Sequence, residues 1–330
     1  MILITGATGF LGSHLALTLV EQGEKVVALK RANSVIPAFL LPFSASIEWR
    51  EADMLDLYAL EEAFNGAAYV YHCAAMVSFE PADRKEMIRV NTEGTANIVE
   101  LCLRLKVKKL LHVSSVSAIG DPLPGQAATE ETVWEFTENS TGYGISKFES
   151  EREVWRAIVE GLNAVIVNPS IILGETNLTR GSGRMFGLVA RGFGFYTPGL
   201  SGMVSVQNVI TCMIALMKSE ISGERYIISS DNISYKDFFQ QAAHFLGRPI
   251  PVKEISPWVL KAAGKLAFLF KSLGLNKESA NLALDRSFYD ASKIKALNIC
   301  QFTPVTAVIE EICGEINQAA IPSYHAAAPQ

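Results

Sequence analysis

The sequence predicts an α/β fold: a doubly wound parallel sheet with a smaller, mostly helical C-terminal lobe. Short β-branched runs alternate with helix-length amphipathic stretches through the first two thirds of the chain, the pattern of βαβ units. A glycine-rich loop separates the first run from the first long stretch. Past Gly174 the alternation gives way to crowded glycines and then to a mainly helical tail starting near Ser234.

Residues 2–4, 26–29, 47–49, 69–73, 110–113 and 164–167 read as strands, and 11–22, 57–64, 91–105 and 143–160 as helices. Parallel strands covered on both faces need such apolar runs. The glycines between 181 and 202 read as irregular loops. Residues 1–173 are expected to form the first domain, with 204–228 returning to it, and 174–330 a substrate-binding lobe. The 326–330 end reads as frayed. Of the 330 residues, 49% are hydrophobic and 19% charged, and the net charge is −5. These values exclude a disordered chain and argue against a nucleic-acid partner. The five cysteines, at 73, 102, 212, 300 and 313, are odd in number and have no CxxC spacing. They predict reduced thiols, no zinc site and a cytoplasmic protein. No signal peptide and no membrane-spanning run is expected.

The stretch Thr5-Gly6-Ala7-Thr8-Gly9-Phe10-Leu11-Gly12 follows a strand and opens a helix. Glycines at 6, 9 and 12 suit a tight turn, a pyrophosphate close to the backbone, and close helix–strand packing. The helix N-terminus then offers amides to the phosphates. This is the dinucleotide-binding arrangement of a Rossmann fold. An acid usually follows the second strand to hold the ribose 2′-hydroxyl. Here Lys30 and Arg31 stand there, so NADP(H) is expected over NAD(H). Otherwise the two are solvated loop charges.

Tyr143 and Lys147 lie four apart, on one face of a predicted helix. A lysine ammonium favours the phenolate, making Tyr143 a candidate acid–base group. Tyr289 and Lys293 share the spacing, but outside the nucleotide-binding half; Tyr289 reads as an aromatic of the C-terminal lobe. Ser114 and Ser115 follow a strand, at the end where such sheets bind ligands.

Together TGATGFLG (5–12), HCAA (72–75), NTEGT (91–95), VSSVSAIG (113–120), YGISK (143–147) and NPSIILG (168–174) resemble the extended (atypical) short-chain dehydrogenase/reductases, the NAD-dependent epimerase/dehydratase family. Late segments 223–238 and 247–251 fit as well. Within it the chain looks most like the dihydroflavonol-reductase and 3β-hydroxysteroid-dehydrogenase-like group. The resemblance implies Tyr143 as proton donor or acceptor and Lys147 on the nicotinamide ribose. It implies Ser115, rather than Ser114 or Ser117, on the reacting oxygen, with Asn91 as the family's helix asparagine. It places Gly6, Thr8, Gly9, Phe10, Leu11, Gly12, Lys30, Arg31, Asp53, Met54, Ala74, Ala75, Pro169 and Ser170 around the cofactor. Asp53 reads equally well as a turn acid, Asn91 as an N-cap, and Ala74 and Ala75 as core alanines.

Val116 and Ser117 follow Ser115 where sugar-nucleotide dehydratases of this branch carry Asp-Glu, and Ile119 stands where many epimerases have Tyr. Arg184 and Arg191 could clamp a diphosphate or be surface charges. The expected activity is reduction of a ketone or aldehyde on a small, fairly apolar substrate. The alternatives are a nucleotide-sugar 4-epimerase and a non-catalytic NADP sensor. A homodimer through 91–105 and 143–160 is a further implication of the resemblance. Residues 257–271 read as a helix with Lys261, Lys265 and Lys271 on one arc, either a lobe helix or a membrane-surface contact. His72 and His112 read as core residues.

Overall fold

A computed structural model describes residues 1–138, 140–265 and 277–320. The strands in chain order are β1 (Ile2–Thr5), β2 (Val26–Lys30), β3 (Ile47–Glu51), β4 (Tyr69–His72), β5 (Lys109–Val113), β6 (Ala164–Pro169), β7 (Ile171–Leu173), β8 (Phe195–Tyr196), β9 (Leu200–Ser205), β10 (Glu224–Ile228), β11 (Asp231–Ser234) and β12 (Lys253–Glu254). The helices are α1 (Phe10–Glu21), α2 (Leu57–Ala63), α3 (Arg84–Arg104), α4 (Gly142–Val159), α5 (Gly183–Ala190), α6 (Val206–Lys218), α7 (Tyr235–Phe245), α8 (Pro257–Lys265), α9 (Lys277–Leu282), α10 (Ser292–Ala296) and α11 (Val305–Ala320).

The chain divides into two compact units. The first holds Met1–Ser170, Val206–Ile228 and Tyr289–Gln301. Its sheet has seven strands in the order β10-β6-β5-β4-β1-β2-β3, all parallel. Successive side chains of a strand face opposite ways. Leu3, Val27, Val70, Leu110 and Ile166 therefore point to one side, where they pack with Leu60 of α2, Ile98 and Val99 of α3 and Val154 and Ala157 of α4. Helices α1 and α6 lie together on the sheet as well. The strand order reverses between β1 and β4, the switch point at which doubly wound sheets open a crevice. Lys109, 2% exposed, is stabilised by bonding the end of α6: its ammonium donates to the carbonyls of Leu216 (2.7 Å) and Ser219 (2.6 Å).

The second unit holds Ile171–Ser205, Ser229–Phe288 and Phe302–Gln330. It contains the three-stranded sheet β11-β9-β7 and the pair β12-β8. Phe186, Phe238, Ile309 and Ile312 centre its own core.

The 181–202 stretch is more ordered than its glycines suggest. Its apolar residues form α5, because Gly183 and Gly187 sit where a Cβ would strike the carbonyls of Asn177 and Leu178. These glycines are packing residues, not loop markers. Helix α3 begins at Arg84 rather than near 91. Tyr289 and Lys293 lie in the first unit, not among the C-terminal residues that surround them in sequence. Lys271 of the expected 257–271 helix and the 326–330 end fall outside the described residues. Among the described residues, no helix is long and apolar enough to cross a membrane.

Candidate active site

The glycine loop joins β1 to α1 at the switch point. Gly6 has φ +68°, and a Cβ there would lie 2.7 Å from the Ala74 backbone. Glycine is thus required twice, for its torsion and for the close approach of the turn after β4. A Cβ on Gly12 would meet the Gly6 carbonyl oxygen at 2.3 Å, so this glycine lets helix and turn close up. Gly9 is different. It is exposed, and a Cβ there would meet only the Gly6 oxygen, at 3.2 Å. Gly9 is also the N-cap of α1 and supplies no side-chain cap. The first-turn amides of Phe10, Leu11 and Gly12 are left for an anion to satisfy. This loop fits a dinucleotide pyrophosphate.

A buried relay fastens the crevice. The Thr5 hydroxyl accepts from the Ala74 amide at 3.1 Å and lies 2.7 Å from His72 Nδ1, while His72 Nε2 lies 3.0 Å from the Thr95 hydroxyl. Burial holds His72 down to about 3, so the ring is neutral. Its position in the core agrees with the sequence reading, but it also sets the spacing of β1 from β4. His112 stacks 5.1 Å from it.

Around the crevice, Thr8 and Phe10 are half-buried and Leu11 is buried. Asp53 is exposed and accepts from the Leu55 amide at 2.9 Å, an Asx turn. Met54 packs over Gly94, and its carbonyl accepts from Asn97. Ala74 and Ala75 are half-buried after β4. Lys30 is paired with Glu51 at 3.4 Å, whereas Arg31 is exposed and makes no ion pair among the described residues. Pro169 ends β6, and Ser170 next to it bonds through its amide to the Ile228 carbonyl at 3.0 Å.

Asn91 is no N-cap. It lies inside α3, 2% exposed, with its amide clamping both backbone groups of Met76: it accepts from the Met76 N–H at 2.7 Å and donates to its carbonyl at 2.9 Å. It also donates to Ser146 Oγ at 2.9 Å. The loop 76–79 is thereby tied to α3 and α4. Phe79 of this loop meets the Tyr143 ring edge-on, centroids 6.1 Å apart.

Helix α4 carries Tyr143 in its first turn, capped by Thr141, whose hydroxyl accepts from the Gly144 amide at 3.0 Å. Ser115 sits just past β5, its hydroxyl accepting from the Ser117 amide at 3.1 Å. Lys147 is 4% exposed and donates to the Val113 carbonyl at 2.9 Å. Burial pulls its ammonium down to about 8. Desolvation raises the half-buried phenol above its ordinary value, and the neighbouring Ser115 hydroxyl, not Lys147, pulls it back. The lysine's bond to Val113 engages it elsewhere.

The profile of the NAD dependent epimerase/dehydratase family matches residues 2–231. The chain belongs to this family. It is an NAD(P)-dependent enzyme of the extended short-chain dehydrogenase/reductase type. It is 32% identical over 274 residues to sterol demethylase protein B of Methylococcus capsulatus, covering 80% of both chains. It is 29% identical over 301 residues to a candidate dihydroflavonol 4-reductase of Synechocystis sp., covering 88% of this chain and 87% of that one. The crystal structure of gox2253 superimposes with a TM-score of 0.83 at 27% identity, over 97% of this chain and 98% of that one.

Sequence reasoning missed buried Glu151 and Asn168 and half-buried Arg225, which bond one another next to Lys147 and Ser115 in the chain of contacts. For Glu151 a signal existed: it continues the four-residue spacing of Tyr143 and Lys147 along α4. Nothing local marks Arg225. The exposed Arg184 and Arg191 lie in and just after α5.

Proposed function

We propose that this chain is an NADPH-dependent reductase acting on the ketone or aldehyde of a small, fairly apolar molecule. The observation that carries this reading is geometric: Tyr143 stands in the first turn of α4 beside the Ser115 hydroxyl, with Lys147 one turn further along the same helix. A phenol, with an ordinary pKa of about 10, keeps its proton at neutral pH and can give it to an oxygen gaining negative charge. Bound reduced nicotinamide supplies the hydride. Ser115 donates a hydrogen bond to the substrate oxygen, Tyr143 delivers the proton, and Lys147, one turn along α4, would hold the nicotinamide ribose. Gly9 and the first turn of α1 hold the pyrophosphate. Exposed Arg31 at the end of β2 favours a 2′-phosphate over a bare hydroxyl.

Two features support an apolar carbonyl substrate over a sugar nucleotide. The loop beside Tyr143 presents Met76, Val77 and Phe79, with Val77 60% exposed. The name of the Methylococcus capsulatus relative also points to sterols, which are apolar.

The test is a cofactor-oxidation screen over apolar ketones, aldehydes and nucleotide sugars, with NADPH and NADH side by side. Net NADPH oxidation with an apolar carbonyl is expected. Turnover of a nucleotide sugar with no net cofactor change overturns the reductase reading. The 2′-phosphate assignment is tested by Arg31→Ala, expected to weaken NADPH roughly tenfold and NADH hardly at all. Equal losses for both cofactors defeat it.

A further inference from the structure

Glu151 stands one helical turn beyond Lys147 and is 1% exposed. Both carboxylate oxygens are taken. Oε1 accepts from Asn168 Nδ2, and Oε2 accepts from Arg225 Nη1 at 3.2 Å. The same Asn168 nitrogen donates to the backbone carbonyl of Ser115 at 3.0 Å. Arg225 is held in turn by the Glu130 carbonyl, and the Glu130 carboxylate accepts from the Ile227 amide at 2.8 Å. A buried ion pair is costly to desolvate, and an apolar cluster of similar volume often serves stability as well or better. The arrangement therefore invites a reason beyond stability, and its two ends supply one: Ser115 at one side, Lys147 at the other.

We propose that Glu151 is a positioning residue for the reaction: through Asn168 it fixes the backbone that carries the Ser115 hydroxyl, and one turn along α4 it stands as the counter-charge of Lys147. This rests on the reading of Ser115, Tyr143 and Lys147 as the reacting set.

The groups around Lys147 leave Glu151 as its counter-charge. Burial pulls the Lys147 ammonium down, whereas Cys73 and Glu151 act the other way. Burial pushes the Cys73 thiol up to about 12, so it is uncharged at neutral pH. His72 and His112 are held neutral by the same desolvation. Burial also raises Glu151, but Ser114, Arg225 and Asn168 beside it oppose this. With donors on both oxygens, the carboxylate is set up to be ionised; a protonated acid would present its O–H to a donor.

The experiment follows the Lys147 side chain by NMR in full-length protein labelled with 13Cε-lysine, the signal assigned by its loss in Lys147→Arg. In Glu151→Gln the Lys147 titration is expected to move down by about half a pH unit or more, and in Glu151→Asp to return toward wild type. A titration in Glu151→Gln that superimposes on wild type overturns the proposal. This readout needs no turnover. A wild-type protein that reduces no carbonyl would count against the reductase reading, while the titration still decides this one. Where turnover is measured, the alkaline limb of the kcat–pH profile moves with the titration, and the dissociation constant of NADPH stays within about twofold of wild type. Should Glu151→Gln not fold, Asn168→Ser decides, since it cuts the link to Ser115 while leaving Glu151 and Arg225 paired. It is expected to lower kcat about tenfold or more with KM little changed; an unchanged kcat overturns the proposal.

Discussion

Tyr143 with Lys147 and Tyr289 with Lys293 have the same spacing, lie in the same compact unit, and share almost nothing else. Tyr143 and Lys147 both belong to α4, so the four-residue step stacks them on one face. Tyr289 precedes α10, which starts at Ser292, and instead forms a bridge to Ala128. Lys147 is buried behind the end of β5 and bonds a strand carbonyl. The Lys293 side chain is 32% exposed, donates to Glu224 at 2.6 Å and lies over the Tyr226 ring. One pair is the proposed reacting set beside Ser115; the other is a clasp that ties the segment Tyr289–Gln301 back onto β10. Spacing supplies a face only when a helix spans both residues.

The sharpest way to break this contrast is to remove the two hydroxyls. Tyr143→Phe is expected to lower the reduction rate by about 10²–10⁴-fold, the usual reach of general acid catalysis, with NADPH binding retained. Tyr289→Phe should leave the rate within about twofold of wild type, since Tyr289 is not a member of the proposed reacting set. Steady-state kinetics on both variants checks this, and comparable losses would erase the distinction.

The histidines behind Lys147 sharpen it next, through pH. Burial depresses the pKa of His72 to about 3 and that of His112 well below its ordinary 6.5. Below pH 6.5 the unfolded chain therefore binds protons that the native state refuses. Stability falls as pH drops from about 6.5 toward 3, by up to one proton per histidine. Both ring nitrogens of His112 lack a partner among the described residues, so His112→Leu sacrifices no hydrogen bond there. That variant should show a shallower loss of melting temperature between pH 6.5 and 4.5. An unchanged slope would mean that the ring is not the buried neutral group described here.

The two lysines should then differ in sign. Lys147→Met removes a desolvated charge and leaves Glu151 paired with Arg225, so the fold is expected to gain about 1 kcal/mol while activity is lost. Lys293→Met breaks a partly exposed pair and is expected to cost no more than about 1 kcal/mol, with activity kept. Urea unfolding of each variant measures both. Destabilisation by Lys147→Met greater than that by Lys293→Met would show the clasp and the site in reversed roles.

Much of the first unit was legible because its signals are local. β-Branched runs mark β1, β2 and β4 to β6, and the spacing of the three glycines places the turn at the end of β1. Tyr143 and Lys147 could be read as a pair because α4 has its own amphipathic period. Asn91 was found as a helix asparagine, but its N-cap alternative could be set aside only in the fold, where its amide works on Met76, since an asparagine looks the same in sequence whether it caps a helix or clamps a loop. Glycines 183 and 187 were read as loop residues because close packing against Asn177 and Leu178 leaves no trace in composition.

Sequence by itself determined where β1 to β6 lie and which turn can accept a pyrophosphate, because backbone torsion and side-chain periodicity are properties of a few consecutive residues. Tertiary structure alone decided that Arg225, some 75 residues beyond Glu151 in the chain, reaches its carboxylate, and that the Ser115 hydroxyl comes beside the phenol of Tyr143. Desolvation and counter-charge depend on what the rest of the chain brings within a few ångströms, and that distance is set only when the sheet closes.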